Sequence, residues 1–315
     1  MPEMDPSARI YVAGHRGLVG GAIVRRLETE GYRHLITRTS QELDLRNQAA
    51  VQTFFREERP DYVFLAAAKV GGILANSTYP AQFLYDNLMI AANVIHSAHE
   101  AGVKKLLNLG SSCIYPRLAP QPLKEDYLLT GPLEETNRAY AVAKIAAIEL
   151  CDHYRAQYGA DFISGMPTNL YGPGDNFDLK GSHVLPALLR KMVEAKEADA
   201  PQVEVWGSGT PLREFLYVDD LADACLFLME HVSEPGPINI GTGEDLTIRE
   251  LAELIANVVG YRGDLKFDAS KPDGTPRKLM DVSKLRDLGW TASTDLHTGI
   301  TQTLGWYLQQ RSPVS

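Results

Sequence analysis

A phenol and an amine one helical turn apart, Tyr140-Ala-Val-Ala-Lys144, have the spacing of a proton-transfer pair. On a helix the two side chains share one face. An ammonium beside a phenol lowers the cost of a tyrosinate, so Tyr140 can give a proton to a carbonyl oxygen as hydride reaches the carbon. Ser111, in the turn Gly110-Ser-Ser-Cys113, can polarise the same oxygen. Cys113 leaves the same strand-to-loop exit, so its thiol is expected to face that pocket rather than a packed core. A base beside a ketone can remove protons from the α carbons, because the groups that polarise the oxygen also stabilise the enolate. Inversion then needs an acid on the opposite face. His183, in Gly181-Ser-His183 ahead of a helix, is the candidate, set against the plainer reading of a structural histidine.

Gly14-His-Arg-Gly-Leu-Val-Gly20 follows a strand-like run and opens a helix. Its G-x-x-G-x-x-G spacing permits a tight turn and lets backbone N–H groups at the helix N-terminus approach a pyrophosphate. A dinucleotide is therefore expected here. The second strand ends in Arg38 instead of the acid that would bind a ribose 2′-hydroxyl, and the loop carries Arg16. Two arginines suit a 2′-phosphate, which they can pair by forked hydrogen bonds. NADP is the expected cofactor.

These residues need a scaffold that gathers strand ends in one place. Apolar runs at 9–13, 34–38, 62–65, 105–109 and 162–166 read as strands. They alternate with helical patterns from about Val19, at about 80–101 and at about 137–158. That alternation predicts an α/β fold: a Rossmann-type doubly wound parallel sheet with a smaller C-terminal α+β substrate domain. Residues 1–171 would form the NADP-binding domain, with 216–241 returning to it; 172–215 and 242–315 would form the substrate domain. Beyond 171 the pattern predicts helices near 184–196 and 218–228, and a strand at 237–240. The capping-box spacing Thr247-Ile-Arg-Glu250 starts a further helix, and the tail from Gly263 reads as loop-rich.

The chain has 315 residues, 44% of them apolar and 23% charged, which suits a globular protein with a substantial core. Its net charge is −9 with no basic block, which argues against nucleic acid as a partner. Three cysteines (Cys113, Cys151 and Cys225) form no CxxC pair, so neither a disulfide framework nor a Cys-rich zinc site is expected. No histidine pattern has metal spacing. No apolar run approaches membrane-spanning length, and the start Met1-Pro-Glu-Met-Asp-Pro6 lacks signal-peptide features. A cytoplasmic protein is expected.

The motifs Ala13-Gly-His-Arg-Gly-Leu-Val-Gly20, Leu65-Ala-Ala-Ala-Lys-Val-Gly-Gly-Ile73 and Gly110-Ser-Ser-Cys-Ile-Tyr-Pro116 carry a family resemblance, as do Met166-Pro-Thr-Asn-Leu-Tyr-Gly-Pro173, Val205-Trp-Gly-Ser-Gly-Thr-Pro-Leu-Arg-Glu-Phe215 and Lys271-Pro-Asp-Gly-Thr-Pro-Arg-Lys278. With them the chain resembles, over nearly its whole length, the GDP-L-fucose synthase family of extended short-chain dehydrogenase/reductases. The resemblance implies a two-stage reaction on GDP-4-keto-6-deoxy-D-mannose. Cys113 as base and His183 as acid would epimerise C3 and C5; NADPH would then reduce C4, with Tyr140 donating the proton and Lys144 and Ser111 assisting. It implies a cofactor site along Gly14, His15, Arg16, Gly17, Leu18, Val19 and Gly20, then Arg38, Ser40, Asp44 and Leu45. The same site would continue through Ala66, Ala67, Ala68 and Asn87, then Leu109, Gly110, Ser111 and Ser112. Tyr140, Lys144, Pro167, Thr168, Asn169, Leu170 and His183 would complete it. Cys113, Asn169, Lys191, Trp206, Arg213, Asp273 and Arg277 would hold the GDP-sugar. In similar enzymes the helices at 80–101 and 137–158 pair with their copies, so a homodimer is implied. A nucleotide-sugar epimerase or dehydratase that keeps NAD bound is the other reading of the general motifs; Arg16 and Arg38 speak against it.

Overall fold

A computed structural model describes residues 4–179, 181–271 and 273–311. All four residues of β1 (Ile10–Ala13) are buried. Successive strand side chains point to opposite faces, so both faces of this strand must be covered. Ile10 and Val12 pack with Ile23 and Leu27 of α1 (Leu18–Thr29). Tyr11 and Ala13 pack with Phe54 and Phe55 of α2 (Gln48–Glu58). The same division continues through β3 (Tyr62–Leu65) and β4 (Lys105–Leu109): Phe64 and Leu107 join the first core, Val63, Leu65 and Leu106 the second.

With β2 (Leu35–Ile36), β5 (Phe162–Pro167) and β10 (Pro237–Ile240) these strands form, among the described residues, a six-stranded parallel sheet in the order β10-β5-β4-β3-β1-β2. The doubly wound parallel sheet expected from the sequence is thus observed. Helix α7 (Val218–His231) packs beside α1 on one face; α4 (Pro80–Glu100) and α5 (Arg138–Tyr158) pack together on the other, and the short α3 (Ile73–Thr78) precedes α4. From β1 the chain crosses to β2 on one side and then to β3 on the other. That reversal opens a crevice above the carboxyl ends of β1 and β3, where open α/β sheets bind ligands. A buried ammonium locks α7 to the sheet: Lys105 Nζ donates to the carbonyls of Leu228, Met229 and Val232 at the helix C-terminus. Leu228 O also accepts from Val232 N at 3.1 Å, whereas the last carbonyls of a helix lack intrahelical donors, which the lysine here supplies.

The remaining elements build a second core over the strand ends. Strand β6 (Asn169–Tyr171) pairs with β9 (Phe215–Tyr217), and β7 (Gln202–Trp206) with β12 (Asp264–Asp268). Strand β8 (Leu212–Arg213) lies between β11 (Leu246–Thr247) and β13 (Arg277–Lys278). Helices α6 (Val184–Glu197) and α8 (Ile248–Val259) enclose Leu189, Met192, Leu251 and Ile255. The capping box forms as its spacing predicts: Thr247 Oγ1 accepts from Glu250 N at 3.1 Å and Glu250 Oε2 from Thr247 N at 2.7 Å.

Two expectations need correction. The second strand is only Leu35–Ile36, because Thr39 is drawn into a turn by the Glu42 carboxylate, which accepts from both its N–H and its hydroxyl. The tail is not loop-rich: it contains β12, the short α9 (Ser283–Asp287) and α10 (Leu296–Arg311). The buried face of α10 is Gly299, Ile300, Thr303 and Tyr307, so small and polar residues hide its periodicity. Gly299 is required there, since a Cβ would stand 2.1 Å from the Tyr171 hydroxyl. Among the described residues no helix is long and apolar enough to cross a membrane.

Candidate active site

The carboxyl ends of β1, β3, β4 and β5 converge, and the sequence-derived site residues lie on the loops that leave them. Gly14 adopts φ +88° with the Ala67 backbone 2.8 Å from where its Cβ would be, and at Gly20 the Gly14 carbonyl oxygen leaves only 2.2 Å. These two glycines let the loop fold onto itself and onto Ala66–Ala67. At Gly17 a Cβ would meet only the Gly14 carbonyl, at 3.4 Å, so that side is open to a ligand. Helix α1 has no side-chain N-cap and no acid in its first turn, and its leading N–H groups remain available to an anion. His15 Nδ1 is buried with no hydrogen-bond partner among the described residues. This cradle fits a dinucleotide pyrophosphate.

Arg38 follows β2, ion-paired to Glu58 and lying 5.6 Å from the Phe54 ring centroid. Arg16 is exposed on the glycine loop. The Glu42 carboxyl is held below its usual range first by the Thr39 N–H and hydroxyl, then by Arg38 and Arg16, so both guanidiniums converge on this corner. Ser40 and Asp44 are exposed nearby, Asp44 in an ion pair with Arg46, and Leu45 is half-buried. Asn87 is 4% exposed and works as a clamp: its Oδ1 accepts from Lys69 N at 2.9 Å while Nδ2 donates to the Lys69 and Phe83 carbonyls. It shapes the loop of Ala66, Ala67 and Ala68. The exits Leu109–Ser112 and Pro167–Leu170 form the adjoining wall.

The reacting groups meet where β4 ends. Ser111 caps the 3-10 turn Ser112–Ile114, its Oγ accepting from Cys113 N at 3.5 Å. Lys144 Nζ donates to the Leu109 carbonyl at 2.7 Å and sits 5.8 Å from the Tyr140 ring centroid. Its position is therefore fixed by the strand end and the shared helix α5. Burial lowers the Lys144 pKa to about 8, with Cys113 opposing. Burial raises that of Tyr140, Cys113 adds to the rise, and the Ser111 side chain opposes it. The phenol is thus kept in the protonated form that can donate. Burial also pushes the Cys113 thiol up, against Lys278, Ser111 and Lys144.

His183 is the N-cap residue of α6. Solvent reaches it through the cleft although protein surrounds it; burial lowers its pKa, and the nearby Lys278 adds to the effect. Lys278 was not singled out in the sequence. Burial lowers its own pKa, Cys113 opposes, and Arg213, its register partner on β8, adds to the lowering. Cys113, His183, Arg213 and Lys278 therefore face one cleft. Adjacent strand residues point to opposite faces, so only one of Arg277 and Lys278 can look into the site, and the register with β8 decides which. Arg277 pairs instead with Asp245, Nε to Oδ2 at 2.6 Å.

Further from the reacting groups, Trp206 is 58% exposed, with Lys191 Nζ 5.4 Å and Lys271 Nζ 5.6 Å from its ring centroid. That is a stacking face with two cations, suited to a base and its phosphates. Arg213 is held by its donation to the Leu212 carbonyl at 2.8 Å. Both Asp273 oxygens are engaged by Ser208, from N–H at 2.7 Å and from the hydroxyl at 2.8 Å, which fixes the turn after Trp206. Asn169 Nδ2 donates to the Glu214 carbonyl at 2.8 Å. No group of three or more metal-ligating side chains occurs among the described residues.

Residues 10–241 match the NAD dependent epimerase/dehydratase family. The chain is 62% identical to GDP-L-fucose synthase 1 of Arabidopsis thaliana over 97% of its own length and 94% of the relative's. It is 57% identical to the GDP-L-fucose synthase of Escherichia coli K12, over 96% and 97% respectively. Among solved structures, the GDP-L-fucose synthetase of Naegleria fowleri bound to NADP superposes with a TM-score of 0.91 at 32% identity, covering 98% of this chain and 95% of that one. A glycine cradle at β1, a Ser–Tyr–Lys set at β4 and α5, and full-length relatives at this identity lead to one conclusion: the chain belongs to the NAD dependent epimerase/dehydratase family.

Proposed function

We propose that the protein converts GDP-4-keto-6-deoxy-D-mannose to GDP-L-fucose, inverting C3 and C5 and then reducing C4 with NADPH. The observation that carries this reading is the sharing of one cleft by two chemical sets, Ser111–Tyr140–Lys144 and Cys113–His183. A reductase alone needs only the first set. A single enzyme that inverts carbons beside a ketone and then reduces that ketone needs both. When bound, the reduced nicotinamide supplies the hydride for C4. Gly14, Gly17 and Gly20 would receive its pyrophosphate and Arg16 and Arg38 its 2′-phosphate.

Ser111 and Tyr140 donate hydrogen bonds to the sugar carbonyl, which makes the adjacent C–H protons more acidic. The Cys113 thiolate takes a proton from C3 or C5, and His183 in its protonated form returns one to the opposite face. Burial makes the thiolate a strong base once formed, while the Lys278 and Lys144 ammoniums limit the cost of forming it. During reduction Tyr140 passes its proton to the C4 oxygen, and the Lys144 charge stabilises the phenolate left behind. Arg213 and Lys278 pair with the diphosphate and Trp206 stacks on the guanine. The experiment for this reading is NADPH oxidation followed with GDP-4-keto-6-deoxy-D-mannose; stoichiometric oxidation supports it, and none with this ketone refutes it.

Two kinetic consequences follow from the charges. Lys144 is an ammonium below about pH 8 and neutral above it. The kcat/KM for reduction is therefore expected to fall as pH rises through that region, and a flat profile from pH 7 to 9.5 would contradict the role given to Lys144. NADPH should be preferred over NADH by more than about tenfold in kcat/KM, or ~1.4 kcal/mol. Arg38→Asp should shrink that ratio, whereas equal use of both cofactors by the unmodified protein would contradict the 2′-phosphate assignment.

The reading includes a homodimer and a reducing, cytoplasmic setting, the latter supported by three unpaired cysteines. Tyr85 on α4 and Val142 and Tyr158 on α5 leave apolar surface exposed on two neighbouring helices, which a two-fold contact would bury. Light scattering at micromolar protein should give twice the chain mass; a monomer alone would overturn the assembly.

A further inference from the structure

The segment from β8 to β9 is apolar apart from Arg213 and the residue after it, Glu214, which is wholly buried. An acid there needs donors on every side. Its Oε1 accepts from Thr242 N at 2.7 Å and Gly243 N at 2.8 Å, both on the loop leaving β10. Its Oε2 accepts from Met280 N at 2.9 Å, two residues beyond Lys278 on the chain leaving β13. Its carbonyl receives Asn169 Nδ2 at 2.8 Å, from the chain leaving β5. The fit is close: a Cβ at Gly241 would come within 2.2 Å of Oε1. One residue thus fastens three strand exits: that of β5 carries Asn169 and that of β13 carries Lys278, while Arg213 precedes Glu214 on its own strand.

We infer that Glu214 is a positioning residue, which sets Lys278 beside Arg213 across the cleft from Cys113 by tying the end of β13 to the end of β10. The inference rests on the substrate reading above, in which Arg213 and Lys278 meet the diphosphate. Without the carboxylate the main chain after Lys278 loses the acceptor of its Met280 N–H, and the ammonium no longer has a fixed place opposite the thiol. The role is separate from catalysis, because both carboxylate oxygens are occupied by main-chain donors and none is left for substrate.

Glu214→Gln is the informative change, being the same shape with one acceptor replaced by a donor. Its amide oxygen can keep the Thr242 and Gly243 N–H groups, which leaves the amide NH₂ against the Met280 N–H. In steady-state kinetics KM for the GDP-keto sugar should rise tenfold or more while KM for NADPH stays within about twofold. In a Lys278→Ala background the same substitution should raise KM for the sugar less than threefold, because the group it positions is gone. An unchanged KM in Glu214→Gln, or an equal rise with and without Lys278, would overturn the inference and leave Glu214 with a purely structural role. If Glu214→Gln does not fold, Glu214→Asp replaces it in the same four-protein comparison with the same criteria. Should the unmodified protein not turn over this sugar, the substrate reading fails separately. The four proteins would then be compared by titration calorimetry with GDP, where a tenfold loss that depends on Lys278 supports the inference and a loss independent of it refutes it.

Discussion

The Tyr140→Phe protein is expected to oxidise NADPH about a hundred- to ten-thousand-fold more slowly than the unmodified enzyme, the range spanned by removal of a positioned general acid. The substitution deletes the hydroxyl and nothing else: the ring stays on α5 beside Lys144, whose Nζ is held independently by the Leu109 carbonyl at 2.7 Å. No neighbour can take over the donation. Lys144 is committed to that carbonyl, and Ser111 lacks the cation that makes its conjugate base affordable. Cys113 and His183 are untouched, so in D₂O the variant should still exchange deuterium into C3 and C5 of the keto sugar. Loss of that exchange together with reduction would mean that Tyr140 also serves the first stage.

The reciprocal change should separate the stages from the other side. Cys113→Ala removes the one thiol in the cleft, since Cys151 and Cys225 are buried in the two cores that flank the sheet. Deuterium incorporation at C3 and C5 should fall by at least a hundredfold, the lower end of what a positioned base contributes. The Ser111, Tyr140 and Lys144 set remains, so slow reduction of the un-epimerised ketone should persist and give a 6-deoxy-D-hexose. Exchange at the unmodified rate would take the thiol out of the reaction. His183 would then be the leading base, since burial first and Lys278 second lower its pKa and so favour its neutral, proton-accepting form.

The two variants draw on different parts of what the sequence discloses. The parallel sheet was legible because apolar strands such as Tyr62–Leu65 are buried on both faces and carry no polar alternation. The glycine loop and the Tyr–Lys turn were legible because their function lies in local spacing. Helix α10 was not, because it buries Gly299 and Thr303 where periodicity analysis looks for leucines. Lys278 and Glu214 were hidden for a different reason. Their meaning comes from register, Lys278 beside Arg213 across β13 and β8, and from donors that arrive from residues 242, 243 and 280. No spacing within one segment encodes that. Arg277 and Lys278 show how fine the margin is: one step along a strand separates a cation paired with Asp245 from one that faces Cys113.

Two chemistries share one cleft, and one measurement reads both. The unmodified protein, supplied with GDP-4-keto-6-deoxy-D-mannose and NADPH in D₂O, should yield GDP-L-fucose with deuterium at C3 and C5 and protium at C4, read by proton NMR of the purified sugar nucleotide. A reduced product of D-configuration carrying protium at C3 and C5 would contradict it, leaving the protein a ketone reductase without epimerase activity.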